Sequence, residues 1–397
     1  MLPNARAHWR RVDVRGGGGS IPTSQSRDVG HPVSSRPSGT SYSANNTFSG
    51  RPAWLPSYIP ELQGLRGLAV LGVVIYHCHP RLEGTPFYRA SLWGWAGVNL
   101  FFVLSGFLIT SILLEARGKP RYFRNFYARR ALRIWPVYVL VLVVCYLNAP
   151  WFVGLPVFEA ISTAPWWVYI LFLQNLFHLA LPPSIGPTWS LAIEEQYYFL
   201  WAPVVRLLAR PWALAVFLGG ALIASPLFRM GHFGWITPTH SLTHLDGIAM
   251  GSLLAIGLHT LRLSRRAWLA LGLGGMVIGF PAAATIAGGT ALLDSALTAG
   301  FGGAVLASIA ATGARNPLNV VLRRGPLAYY GRISYGMYMT HIMAFIYFGW
   351  FDRRMDAHGM ASNLAVVAFR LAVSTIVATV LWYGFESRIL KLKRRFA

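Results

Sequence analysis

Apolar residues gather into eleven stretches of this chain, at approximately 62–79, 92–114, 134–148, 165–181, 189–208, 211–228, 243–261, 267–286, 291–312, 334–350 and 363–385. A helix needs about 20 apolar residues to cross a bilayer core, so each stretch is a candidate span. The basic loops decide how many cross, because Lys and Arg flanking a span stay cytoplasmic. With the N-terminus inside, the loop after the second stretch is cytoplasmic and holds Arg117, Lys119, Arg121, Arg124, Arg129, Arg130 and Arg133. If the fourth stretch crossed, every later basic loop would lie outside. If it does not cross, the clusters Arg206/Arg210, Arg262/Arg265/Arg266, Arg315/Arg323/Arg324/Arg332 and Arg388/Lys391/Lys393/Arg394/Arg395 fall inside. The pattern therefore predicts an all-α, polytopic membrane helix bundle of about ten transmembrane helices, with both termini cytoplasmic. Segment 165–181 is then re-entrant or interfacial. Its Trp166, Trp167 and Tyr169 suit the interface, and Gln174, Asn175 and His178 suit a cavity lining.

The composition agrees. The chain is 54% hydrophobic and 12% charged, against about 25% charged residues in soluble domains. The net charge of +22 sits mostly outside the apolar stretches, so it reads as topology rather than nucleic-acid binding. The two cysteines, Cys78 and Cys145, exclude a disulfide framework, and no Cys/His spacing suggests zinc. A single bridge would require their helices to touch. Residues 1–55, rich in Ser, Gly, Pro and Arg, read as a disordered cytoplasmic tail without a secretory signal. A transmembrane domain over 56–390 and a basic cytoplasmic tail over 391–397 complete the expected organisation. No internal repeat is evident, which gives an inverted-repeat transporter no support.

Within the first stretch, Arg66 lies near the start and His77 near the end. Ionisable residues inside a span are costly and usually face a protein interior. Eleven residues at about 100° each end about 20° past three full turns, so the two side chains share a helix face, roughly 16 Å apart along the axis. Either alone could snorkel to an interface. Their shared face and arginine-rich surroundings favour a common cavity.

Further along, Arg130 and Arg133 lie one turn apart and could fork phosphates, although a membrane-surface amphipathic stretch also explains the charge. Glu194 and Glu195 open a later span at its outer end, the end where His77 lies. One of them could be helix N-terminal charge, with Ser190 a partial cap. The other could fix the tautomer of His77 and stabilise its imidazolium. Adjacent residues face different sides, so only one reaches, Glu195 first and Glu194 second. Asp246 could cap its helix, pair with Arg229 or belong to the site. Ser334 and His341 share a face, which puts His341 mid-membrane in the cavity lining. Asp294 and Glu386 read as helix-end residues with ordinary partners.

These segments resemble, in order, the signatures of the membrane-bound acyltransferase 3 family. They are Gly64-Leu65-Arg66-Gly67-Leu68-Ala69 with His77, the run Gly97–Ile109 reading GVNLFFVLSGFLI, Arg130-Ala131-Leu132-Arg133, Trp189-Ser190-Leu191 followed by Glu194-Glu195-Gln196-Tyr197-Tyr198, and Ser334-Tyr335-Gly336 with Tyr338 and His341. The resemblance covers roughly 58–390. It implies O-acyl transfer, most often of acetyl, from an acyl-CoA such as acetyl-CoA at a bacterial inner membrane, without a metal. The implied acceptor is a hydroxyl of a carbohydrate-type molecule, such as an exopolysaccharide, lipopolysaccharide, glycolipid or macrolide-like compound. It further implies catalytic roles for His77, Arg66, Glu195 and Glu194, CoA-phosphate binding by Arg130 and Arg133, and a substrate cavity that includes Ser105, Trp189, Asp246, Tyr335 and His341. His77 would be a general base, or a nucleophile that carries the acyl group. Arg66 would guide the pantetheine arm or polarise the thioester. No soluble esterase-like domain is expected after the last span. The alternatives are a transporter of a lipid-linked or small polar substrate, with buried charges along its path, and a scaffold without chemistry.

Overall fold

Ten long helices carry the architecture in the computed structural model, which describes residues 50–148, 165–177, 183–208, 210–231, 233–286, 291–314, 317–354 and 359–396. They are α1 (Pro60–Tyr76), α2 (Gly97–Ala116), α3 (Tyr122–Asn148), α4 (Thr188–Leu207), α5 (Pro211–Met230), α6 (Leu245–Thr260), α7 (Arg265–Thr285), α8 (Leu293–Ala310), α9 (Pro326–Tyr347) and α10 (Met360–Leu381). Among the described residues there is no strand. Six helical segments are long and apolar enough to cross a membrane: Tyr88–Ala116, Tyr122–Leu147, Pro211–Met230, Arg265–Thr285, Leu293–Ala310 and Met360–Phe396. The other four long helices, α1, α4, α6 and α9, are shorter or more polar. They are also the helices that carry Arg66, with His77 at the C-cap of α1, the Glu194–Glu195 pair, Asp246 and His341. Helices that turn polar side chains inward lose mean hydropathy for that reason.

The fourth apolar stretch forms no spanning helix over its described part. One short helix, Trp166–Ile170, is followed by turns as far as Phe177, with Phe172 at φ 55°. Gln174 and Asn175 are buried but do not line a cavity as expected. Gln174 Nε2 donates to Thr188 O at 3.1 Å, and Asn175 Nδ2 donates to Ser241 Oγ at 2.8 Å. Gln196 Nε2 donates to Phe172 O at 2.6 Å. The Gln196 amide satisfies a non-helical carbonyl inside the protein, and the three bonds tie the segment to α4 and to Ser241. His178 lies outside the described residues.

Small residues set the helix spacing. In lipid, apolar side chains gain little by meeting one another, so close backbone approach does much of the work. Gly251 of α6 lies against the Val103 carbonyl of α2, and Gly106 of α2 lies against the Ile248 carbonyl of α6. Gly67 of α1 and Gly331 of α9 make the same exchange with the Leu327 and Gln63 carbonyls. Buried Glu61 anchors the start of α1, accepting from Thr312 Oγ1 at 2.8 Å and from Arg323 Nε at 2.5 Å.

The helices therefore alternate between two ends of the bundle. At one end the start of α1, the end of α2, the start of α3, the end of α6 and the segment after α10 surround one cavity. At the other end, His77 follows α1 and meets the starts of α2, α4 and α8 and His244 before α6. Residues 1–49 lie outside the described residues. Within residues 50–55, expected as the end of a disordered tail, Leu55 is in the core beside Leu62 and Trp268, and Arg51 pairs with Glu115. Lys391–Phe396, expected as a separate tail, forms a 3-10 helix against α3. Cys78 and Cys145 are buried and free.

Candidate active site

A cavity of about 400 Å³ opens at the basic end, lined by Arg66, Arg130, Arg133, Lys393, Glu194 and Tyr198, among others. The guanidinium of Arg130 lies 5.9 Å from the Tyr198 ring centre, and Arg133 Nη1 lies 3.2 Å from Glu386 Oε1. Arg66 is without an ion pair among the described residues, and its Nε is buried with no hydrogen-bond partner. A buried cation without an ion pair is costly, and an anionic ligand would relieve that cost. Glu194 has both oxygens occupied: Ser105 Oγ donates to Oε1 at 2.7 Å and Tyr198 OH donates to Oε2 at 2.8 Å. Helix α2 and the next turn of α4 thus hold this carboxylate in place.

The lining residues Arg66, Glu194 and Tyr335 continue into a narrow pocket of about 60 Å³, where Ser105, Ser190 and Tyr338 join them. There Tyr338 OH and Ser190 Oγ hydrogen-bond at 2.7 Å. Tyr335 OH donates to Ile134 O at 2.7 Å, linking α9 to α3. Tyr338 and Val98 then also line an outer cavity of about 690 Å³, which includes His77, Trp95, Asn99, Trp189, His244 and Asp294. Arg66 and His77 thus belong to one series of cavities, a wider chamber at each end and a narrow waist between.

The imidazole of His77 is fixed without a carboxylate. Its Nδ1 lies 2.9 Å from Val73 O, an atom that can only accept, so Nδ1 carries the proton. His341, fully buried on α9, donates from Nδ1 to Tyr338 O at 2.7 Å. In its neutral form the His341 Nε2 is then an acceptor, and it faces His77 Nδ1 at 3.3 Å. Both contacts hold His77 as the Nδ1–H tautomer and leave Nε2 as its basic nitrogen.

Several expected placements change. Neither carboxylate touches His77. Glu194 sits at the level of Arg66, and Glu195 faces another side of α4, in a largely apolar groove with Tyr127, Trp135 and Phe172 that Arg130 also borders. Adjacent helical residues point about 100° apart, so one cavity cannot take both. Asp246 does not line the outer cavity. It is buried and bound to Arg229 Nη2 at 2.7 Å and Ser295 Oγ at 2.8 Å. His341 backs His77 rather than lining the cavity. Ser105, Trp189 and Tyr335 line the series, and Arg130 and Arg133 share the basic chamber. Lys393, Tyr198, Asn99, His244 and Asp294 are lining residues that sequence reasoning missed or read as ordinary. Tyr198 lies four residues after Glu194 and was accessible to helical spacing. The others come from distant helices.

A helical bundle with a basic chamber, a narrow waist and a histidine-bearing chamber defines a polytopic membrane protein with a polar interior. An acyltransferase domain of the acyltransferase 3 family matches residues 59–383, and the chain belongs to that family. Among curated proteins it is similar to peptidoglycan O-acetyltransferase OatA of Listeria monocytogenes, 32% identical over 165 residues, 39% of this chain and 25% of that protein. O-acetyltransferase OatA of Staphylococcus aureus is 34% identical over 164 residues, 38% of this chain and 26% of that protein. The matched segments thus span about a quarter of the length of these relatives. No solved structure matches.

Proposed function

We propose that this protein transfers an acyl group, most simply acetyl, from an acyl-CoA to a hydroxyl of a carbohydrate acceptor. In this reading it has ten spans in a bacterial inner membrane, with both termini and the basic chamber cytoplasmic. The observation that carries the reading is the single series of cavities with unpaired Arg66 near one end and the basic Nε2 of His77 at the other. Arg130, Arg133 and Lys393 hold the phosphates of the donor, and Arg66 stands where the chamber narrows toward the thioester's path. His77 Nε2 takes the acceptor's hydroxyl proton as that oxygen attacks the thioester carbonyl carbon. The C–S bond breaks, and the imidazolium returns its proton to the departing thiolate. Val73 O and His341 keep the imidazole in the tautomer that this step needs. The names of the OatA relatives support an acetyl group and a peptidoglycan-type acceptor.

Purified protein in detergent with radiolabelled acetyl-CoA tests this. His77→Ala should lower CoA turnover by about 10²–10⁴-fold. Arg130→Gln with Arg133→Gln should raise the KM for acetyl-CoA by about tenfold or more while kcat changes little, because charge-assisted contacts to phosphate are lost. Turnover that survives His77→Ala would remove His77 from the chemistry. Substrate flux in vesicles without CoA would point to transport instead.

A further inference from the structure

The outer chamber has a chemistry of its own. Trp95 and Trp189 line it, together with the polar residues Asn99, His244 and Asp294. Asn99 Nδ2 donates to Asp294 Oδ1 at 3.0 Å and so pins that carboxylate at the cavity wall. Asp294 is not consumed by the nearest cation. Arg229 Nε is 3.9 Å from Asp294 Oδ2, whereas the same guanidinium binds Asp246 at 2.7 Å, Ser295 Oγ at 2.6 Å and Ala291 O at 2.7 Å. Asp246 is therefore the partner of Arg229, and Asp294 keeps accepting capacity for a ligand. The ring of His244 lies 5.0 Å from that of Trp189, and its Nε2 lies 2.9 Å from Pro238 O. That carbonyl can only accept, so Nε2 carries the proton and Nδ1 of the neutral ring is an acceptor.

We infer that this chamber is the acceptor subsite, shaped for a neutral pyranoside of about two rings whose hydroxyls are read by Asp294 and His244 and whose ring face lies on Trp189. This deepens the acyltransfer reading and rests on it for the word acceptor. The preference for a neutral sugar follows from charge. Asp294 repels an anion, and the nearest guanidinium, Arg229, is already bound to Asp246 behind the cavity wall. Hydroxyl donors fit a wall of acceptors, and the C–H face of a sugar fits an indole ring. His77 lines the same chamber, so a hydroxyl held there lies on the side where the base acts.

Equilibrium dialysis of the purified full-length chain with radiolabelled di-N-acetylchitobiose measures this without any donor. Saturable binding is expected, weakened about tenfold or more by Asp294→Asn and by Trp189→Ala, and by less than about threefold by Trp189→Phe. A uronic-acid-containing disaccharide of the same size should bind about tenfold more weakly than the neutral one. Thermal midpoints of the variants, measured alongside, separate lost contacts from lost fold. No saturable binding to well-folded wild-type protein would overturn the inference. So would affinities that neither Asp294→Asn nor Trp189→Ala changes, or tighter binding of the anionic sugar. Because acetyl-CoA turnover is a separate assay, the donor chemistry and the acceptor subsite can fail independently.

Discussion

At the scale of single residues, Arg66 and His77 were legible because one lies on α1 and the other caps its end in helical geometry. Helical geometry alone turns two side chains eleven positions apart to the same face. The partner of His77 was not legible. A carboxylate was the expected orienting group, and the structure supplies a backbone carbonyl and a second imidazole instead. Val73 is four residues before His77, so its carbonyl was within local reach. His341 is 264 positions away and comes close only through the packing of α9 on α1. In the proposed mechanism His341 acts through His77, as a positioning residue. His341→Gln should lower kcat roughly tenfold with little change in the KM for acetyl-CoA, and should distort the pH profile of kcat. Steady-state kinetics across pH check this, and a variant that only loses thermal stability would point to a purely structural role.

At the scale of helices, Gly106 of the second apolar stretch is a backbone contact position. Its counterpart Gly251, and the exchange of carbonyls between the two helices, needed the pairing of α2 with α6. Any added Cβ at Gly251 meets the Val103 backbone, which cannot swing aside as a side chain can. Gly251→Leu should destabilise the protein by at least about 3 kcal/mol. It should also lower activity beyond the loss of folded protein, because α2 carries Ser105, the donor to Glu194. Thermal unfolding in detergent and specific activity of the folded fraction check the two parts. The choice between Glu194 and Glu195 belongs to this scale as well. It depends on how α4 is rotated about its axis, and that is set by neighbours rather than by its own sequence.

At the scale of the whole molecule, loop charge and helix alternation converge. The start of α3 lies at the basic end and the start of α4 at the other, with the segment between them forming no spanning helix over its described residues. That arrangement lets the later basic loops return to the same end. Under the proposed topology, reporter fusions at both termini should read cytoplasmic, and cysteines placed at Arg81 or Arg229 should label from outside. Opposite-side termini would refute the ten-span count. The residues missed from sequence, Lys393, Asn99 and Asp294, are whole-molecule features. Each lies at the end of a helix or beyond it, and only the gathering of helix ends makes it part of a cavity.

The sequence by itself determined where helices form, which faces hold charge and which end of each helix is basic. Those properties follow from local periodicity, from the bilayer's demand for apolar length and from the distribution of Lys and Arg. Only the tertiary structure decided that Glu194 rather than Glu195 enters the site, that His341 backs His77, and that Asp246 is spent on Arg229 while Asp294 faces the chamber. Rotation and register between helices are settled by close backbone contacts among residues far apart in the chain. No pattern within a single helix encodes them.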